Sequence, residues 1–236
     1  MLKNSKIMKK IAFTLLLLFF TVSITSKLTA QNLRFGLKAS PSLAWLKPDA
    51  EGYQSEGLRM GFSYGLLTEF LLAEQYSFAT GAHITYLGGK LSYPAQQTTN
   101  GNTYVGEKER TYRLQNIEIP LSLKMKTREI GYNTYFAIFG FGNSINLRAR
   151  ADDEFSSQDS NFSTNDQDIK SEIPFLRVSL ILGLGVEHSL GGNTALIGGL
   201  TFNNGFTNVL KGENPVNNRK QNAKANFIEL SFGVLF

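Results

Sequence analysis

A two-residue alternation of side-chain character runs through most of the chain and restricts what it can fold into. Successive side chains of a β-strand point to opposite faces, so this period predicts extended strands with two chemically different faces. Residues 226–236 show the pattern most clearly, because one of their faces is wholly apolar and ends on an aromatic residue. That face carries Ile228, Leu230, Phe232, Val234 and Phe236.

Eight segments repeat this alternation, which predicts an all-β chain with an even number of strands. In each segment one face is rich in Leu, Ile, Val and Phe, and the other in Gly, Ser, Thr and charged side chains. The segments are residues 33–40, 59–66, 78–86, 111–126, 135–148, 176–187, 194–208 and 226–236.

The connections between these segments alternate in length. Three are short and predict hairpin turns: residues 73–75, 127–131 and 190–193. Four are longer and polar, and they predict loops: residues 47–57, 93–109, 150–172 and 208–222. The third of these loops is acidic and poor in aliphatic side chains, and we expect it to be mobile.

Residues 1–30 differ from the rest of the chain. They hold five lysines and no acidic residue, and their apolar run at residues 11–24 is shorter than the roughly 20 residues that span a bilayer as a helix. This arrangement predicts a secretory signal peptide, residues 1–30, cleaved after Ala30. The other 19 basic side chains equal the 19 acidic ones in number, so the formal charge of +5 predicts no nucleic-acid partner.

The character of the two strand faces indicates their environment. A soluble barrel keeps its apolar face inside, whereas here the polar face is small enough to fill a narrow interior and the other face is apolar. A sheet in lipid must close on itself, because every backbone polar group needs a partner. Residues 31–236 are therefore predicted to form an eight-stranded antiparallel up-and-down transmembrane β-barrel, with its four long loops outside and both ends in the periplasm.

Four segments also resemble a known family. They are Phe-Gly-Leu-Lys-Ala at residues 35–39, Ile-Glu-Ile-Pro-Leu at 117–121, Leu-Gly-Leu-Gly-Val-Glu at 182–187, and the last strand, which ends in Phe236. They are similar to the outer-membrane β-barrel family of Gram-negative bacteria labelled porin-like or PorT-like. The resemblance implies an integral outer-membrane protein with a structural or interaction role, such as a component of a type IX secretion complex. A narrow channel for small solutes and a lipid-modifying enzyme stay as alternatives.

The resemblance also implies partners for this chain. They are outer-membrane lipid, the barrel assembly machinery, and other envelope proteins that contact the extracellular loops. The apolar alternation of the last strand looks like the signal that the assembly machinery reads, and we expect Phe232, Val234 and Phe236 to carry it.

An eight-stranded barrel has an interior just wide enough for side chains to fill it, so a plugged lumen is expected. Charged side chains on the inner face must pair with one another, because unpaired charge in a low-dielectric interior is costly. The predicted lumen network comprises Arg34, Lys38, Arg59, Glu69, Glu118, Arg177, Glu187 and Glu229.

No residue pattern predicts catalysis or a cofactor. The chain has no cysteine and two histidines, His83 on a polar face and His188 on an apolar face, and neither has a serine and a carboxylate placed beside it by the sequence. The acidic runs at residues 152–154 and 166–168 lack the glycine and glutamate of an EF-hand loop, which leaves only weak calcium binding open. We therefore predict no catalytic, cofactor-binding or metal-binding residue, and no enzymatic activity.

Overall fold

The computed structural model describes residues 33–99, 101–158, 160–214, 216 and 220–236. The chain forms two units, Met1–Leu33 and Arg34–Phe236, and the features below belong to the second. The predicted signal peptide, residues 1–30, lies outside the described residues. The strands are β1 (Leu33–Pro48), β2 (Gln54–Gly57), β3 (Arg59–Ala73), β4 (Tyr76–Thr99), β5 (Asn102–Lys126), β6 (Asn133–Ser156), β7 (Asn161–Asp168), β8 (Leu176–Gly191), β9 (Thr194–Gly205) and β10 (Ala223–Leu235).

Eight of these strands close into an antiparallel barrel, which confirms the predicted fold class. Their order around the barrel is β1, β3, β4, β5, β6, β8, β9 and β10. Strand β10 returns to β1, with Gly36 opposite Leu235 at one end and Pro48 opposite Ala223 at the other. The two remaining strands are additions: β2 pairs with β4, and β7 pairs with β6.

The turns at one end of the barrel are short, as predicted: residues 74–75, 127–132 and 192–193. Short turns face the periplasm in barrels of this kind. Near this end and in the middle of the barrel, the strand alternation separates the faces as expected. On β5, Leu121 and Leu123 are exposed on the outer face, whereas Ser122 and Lys124 are buried inside.

The structure corrects the predicted loops at the other end. Strands β4, β5 and β6 have 24, 25 and 24 residues, against the roughly 9–11 that cross a bilayer. Residues 93–109 therefore form the outer end of the long β4–β5 hairpin, and residues 150–172 contain the end of β6, all of β7 and a short 3-10 helix at Lys170–Glu172. The acidic segment predicted to be mobile is thus mostly regular structure, and residues 47–57 contain β2.

These additions build a second section, here called the outer extension: β2, β7, residues 87–99 of β4, residues 102–114 of β5 and residues 149–156 of β6. Together with the outer ends of β1 and β10 it encloses an apolar core, in contrast to the polar lumen below it. Tyr53 stacks on Tyr93 with ring centroids 4.6 Å apart. A sheet surrounded by water must bury apolar area to be stable, so the inner face changes character where the barrel leaves the membrane.

Candidate functional site

A cluster of five charged side chains fills the periplasmic end of the lumen, here called the periplasmic ion cluster. It consists of Arg34, Glu69, Lys124, Lys126 and Glu187. Arg34 Nη1 donates to Glu187 Oε2 at 2.8 Å, and Lys126 Nζ lies 2.9 Å from an oxygen of each carboxylate. Lys124 pairs with Glu69 and lies 2.5 Å from Glu187. Three cations therefore surround two carboxylates at this end of the barrel, which leaves an excess of one positive charge.

A second group lies in the middle of the lumen, around Glu229. Its carboxylate pairs with Lys38 and accepts hydrogen bonds from Ser63 Oγ at 2.9 Å and Ser231 Oγ at 3.2 Å. His83 is buried beside them. A cavity of about 90 Å³ lies beside this group and is lined by Lys38, His83, Glu229 and Ser231. It has room for a few water molecules.

A third group marks the boundary between the lumen and the outer extension. The guanidinium of Arg177 lies 3.8 Å from Glu118, and its Nη2 donates to Asn203 Oδ1 and to the carbonyl of Ala225, both at 2.7 Å. Its other face lies 5.5 Å from the ring centroid of Phe227. Arg177 thus contacts polar groups on one side and the apolar core on the other.

The lumen is filled above and below the cavity. Phe227, Leu46 and Tyr112 are fully buried above it. Below it, the periplasmic ion cluster packs on Phe136, with Lys124 Nζ 4.2 Å from the ring centroid. The space between the strands is therefore occupied by side chains along most of its length.

The structure places seven of the eight residues of the predicted network inside the lumen: Arg34, Lys38, Glu69, Glu118, Arg177, Glu187 and Glu229. The eighth residue, Arg59, does not lie in the lumen, and the prediction for it is corrected. Pairing of β3 with β4 begins at Phe62 opposite Tyr86, so Arg59 precedes the paired part and is free of its alternation. Its side chain lies over Gly88, where a Cβ would come 2.8 Å from Arg59 Cδ, and it lines a cleft on the outer surface.

Two lysines of the periplasmic ion cluster were not among the predicted residues. Lys124 and Lys126 have the same parity as Glu118 along β5, so strict alternation would have included them. Arg110 was also missed, because it lies between the predicted loop at residues 93–109 and the predicted strand at residues 111–126.

Arg110 holds the core of the outer extension together. Its Nε and Nη2 each donate to Asp153 at 2.6 Å, and Nη1 donates to Glu172 at 2.6 Å. Burial opposes its charge most strongly, but the hydrogen bonds to Asp153 and the electrostatic interactions with Tyr93, Tyr112 and Asp153 together outweigh burial and raise the pKa of Arg110 above its ordinary value. The acidic segment that left weak calcium binding open thus uses Asp153 as the partner of an arginine. Among the described residues no group of three potential metal ligands occurs.

The two histidines lie on the faces that the alternation gives. His83 is 4% exposed and points into the lumen, and its Nε2 has no hydrogen-bond partner within the described part of the chain. His188 is exposed near the periplasmic turns, where Nδ1 lies 2.9 Å from Asn133 Oδ1.

In the described segments no helix has the length and apolar character needed to cross a membrane. A closed barrel of antiparallel strands with an apolar outer face and a polar, filled lumen defines a membrane-spanning β-barrel. A family model described as outer membrane protein beta-barrel domain matches residues 29–231. The chain belongs to this family and is an integral protein of the outer membrane.

Solved structures of three barrels resemble the chain at low sequence identity. Neisserial surface protein A shares 16% identity over 85% of this chain and 95% of that one, with a TM-score of 0.40. OprG from Pseudomonas aeruginosa shares 8% identity over 87% of this chain and 96% of that one, with a TM-score of 0.42. Ail of Yersinia pestis, solved with the heparin analogue sucrose octasulfate, shares 13% identity over 87% of this chain and 99% of that one, with a TM-score of 0.33. No curated protein matches the sequence.

Proposed function

We propose that this barrel is a structural and interaction protein, in which the membrane section anchors the outer extension and the extension binds another envelope protein. The observation that carries the proposal is the apolar core that the extension shares with the outer ends of β1 and β10, formed above the membrane section by strands that continue out of it. Anchoring alone does not require strands of this length.

The outer extension is tied together by buried polar contacts as well as by its core. Asn214, in the connection between β9 and β10, donates from Nδ2 to Tyr53 Oη and to the carbonyl of Pro94, both at 3.0 Å. Asn214 therefore ties its part of the connection to β4 and to the segment before β2. A surface that is already ordered loses little conformational entropy on binding, which suits an interaction role.

The filled lumen favours this role over the channel. The cavity of about 90 Å³ is bounded by fully buried side chains above and by the periplasmic ion cluster below. A route for a solute would have to separate several ion pairs at once, and each buried charge would then lose its partner.

We propose further that the partner belongs to an envelope complex of the type IX secretion kind, as the resemblance to PorT-like barrels implies. An affinity tag inserted after Gly101, at the exposed tip of the β4–β5 hairpin, leaves the core of the extension intact. Purification from outer membranes in mild detergent is expected to yield the barrel with an envelope protein in stoichiometric amount.

A pair of variants tests whether the extension is the contact surface. Val105, 62% exposed on the extension, is replaced in Val105→Asp, and Tyr132, 71% exposed in a periplasmic turn, is replaced in Tyr132→Asp as the control. We expect the first to release the partner and the second to retain it. A barrel that always purifies alone would contradict the interaction role, and conductance steps from that barrel in a planar bilayer would favour the channel instead.

A further inference from the structure

A β-bulge in β6 reverses which of the following side chains face the outer surface. Gln115 pairs with Arg148 and Asn116 with Asn146, so Leu147 has no partner on β5. Leu147 and Arg148 are both exposed, and Arg150 then lies on the outer side while Ala149 is buried inside. Bulges re-aim side chains in this way and are common next to functional sites.

The re-aimed arginines meet two others on the outer surface. Arg148 and Arg150 of β6, Arg113 of β5 and Arg59 of β3 line a cleft of about 250 Å³, here called the outer basic cleft. Arg113 is directly opposite Arg150 in the sheet. Four guanidinium groups on neighbouring strands repel one another unless anions lie between them.

Two carboxylates neutralise only part of this charge. Arg113 Nη2 lies 2.7 Å from Asp152 and 3.1 Å from Asp166, and Arg150 Nη1 lies 3.3 Å from Asp166. Within the described residues, Arg59 and Arg148 form no ion pair, and the buried Nε atoms of Arg113 and Arg150 have no hydrogen-bond partner. The cleft thus keeps an excess of two positive charges and unused donors.

The backbone at Asp166 is held in an unfavourable conformation beside the cleft. Its φ is 55°, the only positive value among the described residues other than glycine. The amide of Asp166 donates to Asp152 Oδ1 at 2.8 Å, and its carbonyl accepts from Arg150 Nη1 at 2.8 Å. Such strain persists where surrounding contacts impose it, and it is concentrated at ligand sites.

The outer basic cleft lies at the outer limit of the apolar surface. Met60, which lines it, is 78% exposed, Tyr86 is 41% exposed, and Ile119 on the same face of β5 as Arg113 is 41% exposed. Exposed apolar side chains of a spanning barrel face acyl chains, and tyrosines lie at the level of the headgroups. The four arginines are therefore at the height of the headgroups of the outer leaflet.

We propose that the outer basic cleft binds the phosphate groups of a phosphorylated glycolipid of the outer leaflet, of the lipid A type. Guanidinium groups match phosphate oxygens with pairs of parallel hydrogen bonds and are less strongly hydrated than lysine, which suits a site at a lipid surface. Arg59 and Arg148 supply the free charge, while Asp152 and Asp166 orient Arg113 and Arg150. The acyl chains of the same lipid lie along the apolar face below.

The test measures binding of bisphosphorylated lipid A to the purified full-length barrel in detergent. The variant Arg59→Gln with Arg148→Gln is expected to weaken binding about tenfold or more. The control, Arg128→Gln with Lys211→Gln, removes the same charge from exposed positions outside the cleft and is expected to bind like the parent protein. Loss of affinity in both variants alike would show an effect of net charge and would overturn the proposal.

A second variant, expected to bind lipid A more tightly, distinguishes a lost binding site from a misfolded barrel. Asp166→Asn removes a competing negative charge but keeps a side-chain oxygen that can accept from Arg113 and Arg150, and asparagine tolerates the left-handed conformation. We therefore expect tighter binding of lipid A, which a misfolded barrel could not show. Dephosphorylated lipid A and inorganic phosphate are the reference ligands. Equal affinity for dephosphorylated lipid A would exclude the phosphate site, and equal affinity for inorganic phosphate would exclude the lipid as its occupant.

Discussion

Lys124 shows how strongly a single residue depends on its neighbours inside this barrel. Its side chain is 2% exposed and contacts Glu69, Glu187 and the ring of Phe136. An ammonium group buried this deeply is tolerated because both carboxylates and the face of the ring replace its hydration.

Replacing Lys124 by methionine is expected to destabilise the barrel by about 3–5 kcal/mol, because Glu69 and Glu187 then face each other with one cation fewer. Lys90→Met is the matched control: Lys90 pairs with Glu109, but both side chains are more than 30% exposed, and such pairs contribute about 0–1 kcal/mol. Urea unfolding in detergent, followed by the fluorescence of Trp45, measures both. Similar losses of stability in the two variants would show that the periplasmic ion cluster contributes no more than an exposed ion pair.

Sequence reasoning at this scale succeeded where the alternation is unbroken. Glu118 and Glu229 lie in strands of strict period two, and their inward placement follows directly from it. Arg148 has the same parity as the buried Ser144 and Asn146, so unbroken alternation would place it inside, yet it lies outside because of the bulge at Leu147. A bulge depends on the pairing of two strands and so leaves no mark in either sequence alone.

At the scale of elements, the outer extension is the part of the fold that the sequence pattern did not predict. Residues 93–109 contain Pro94, Gly101 and many polar side chains, which are typical of loops. Their strand structure depends on contacts between distant segments, such as Tyr104 with Phe162, whose ring centroids are 5.6 Å apart. Propensity and period are local quantities, so long-range packing of this kind escapes them.

The core of the outer extension is expected to respond to alkaline pH. Burial raises the pKa of Tyr53, Tyr93 and Tyr112 above the ordinary value. The neutral phenols therefore stabilise the fold fully below about pH 10, the pKa of an unfolded tyrosine, and this contribution is lost as the pH rises through the raised values.

A titration of tyrosinate absorbance, with far-ultraviolet circular dichroism in parallel, tests this expectation. Tyr53, Tyr93 and Tyr112 should ionise above pH 10, together with a partial loss of strand signal from the extension. Ionisation of every tyrosine in one step near pH 10, with no change in strand content, would contradict it.

At the scale of the whole molecule, closure of the barrel places Phe236 on the lipid-facing surface. Its amide donates to the carbonyl of Phe35 at 2.7 Å, and its side chain is 56% exposed. The prediction that Phe232, Val234 and Phe236 signal to the assembly machinery stays a proposal, and it is separable from stability because an exposed ring adds little to packing.

We expect Phe236→Ala to slow insertion into the outer membrane, with little effect on unfolding of the inserted barrel. Phe139→Ala is the control, since Phe139 is 50% exposed on the outer face of another strand. Pulse-labelled cells, assayed for the folded form that migrates faster on unheated gels, give the insertion rate. Equal rates for the two variants would refute a signalling role for Phe236.

The change of interior from polar to apolar is also expected to make insertion difficult to reverse. Tyr93, Tyr112 and their neighbours lie beyond the membrane section, so we expect the long hairpins to cross the bilayer before these side chains pack together. Once these side chains have packed, withdrawal towards the periplasm requires the whole outer core to open first, at a cost that rises with the apolar area it buries. The packed extension is therefore expected to oppose withdrawal of the inserted barrel from the membrane.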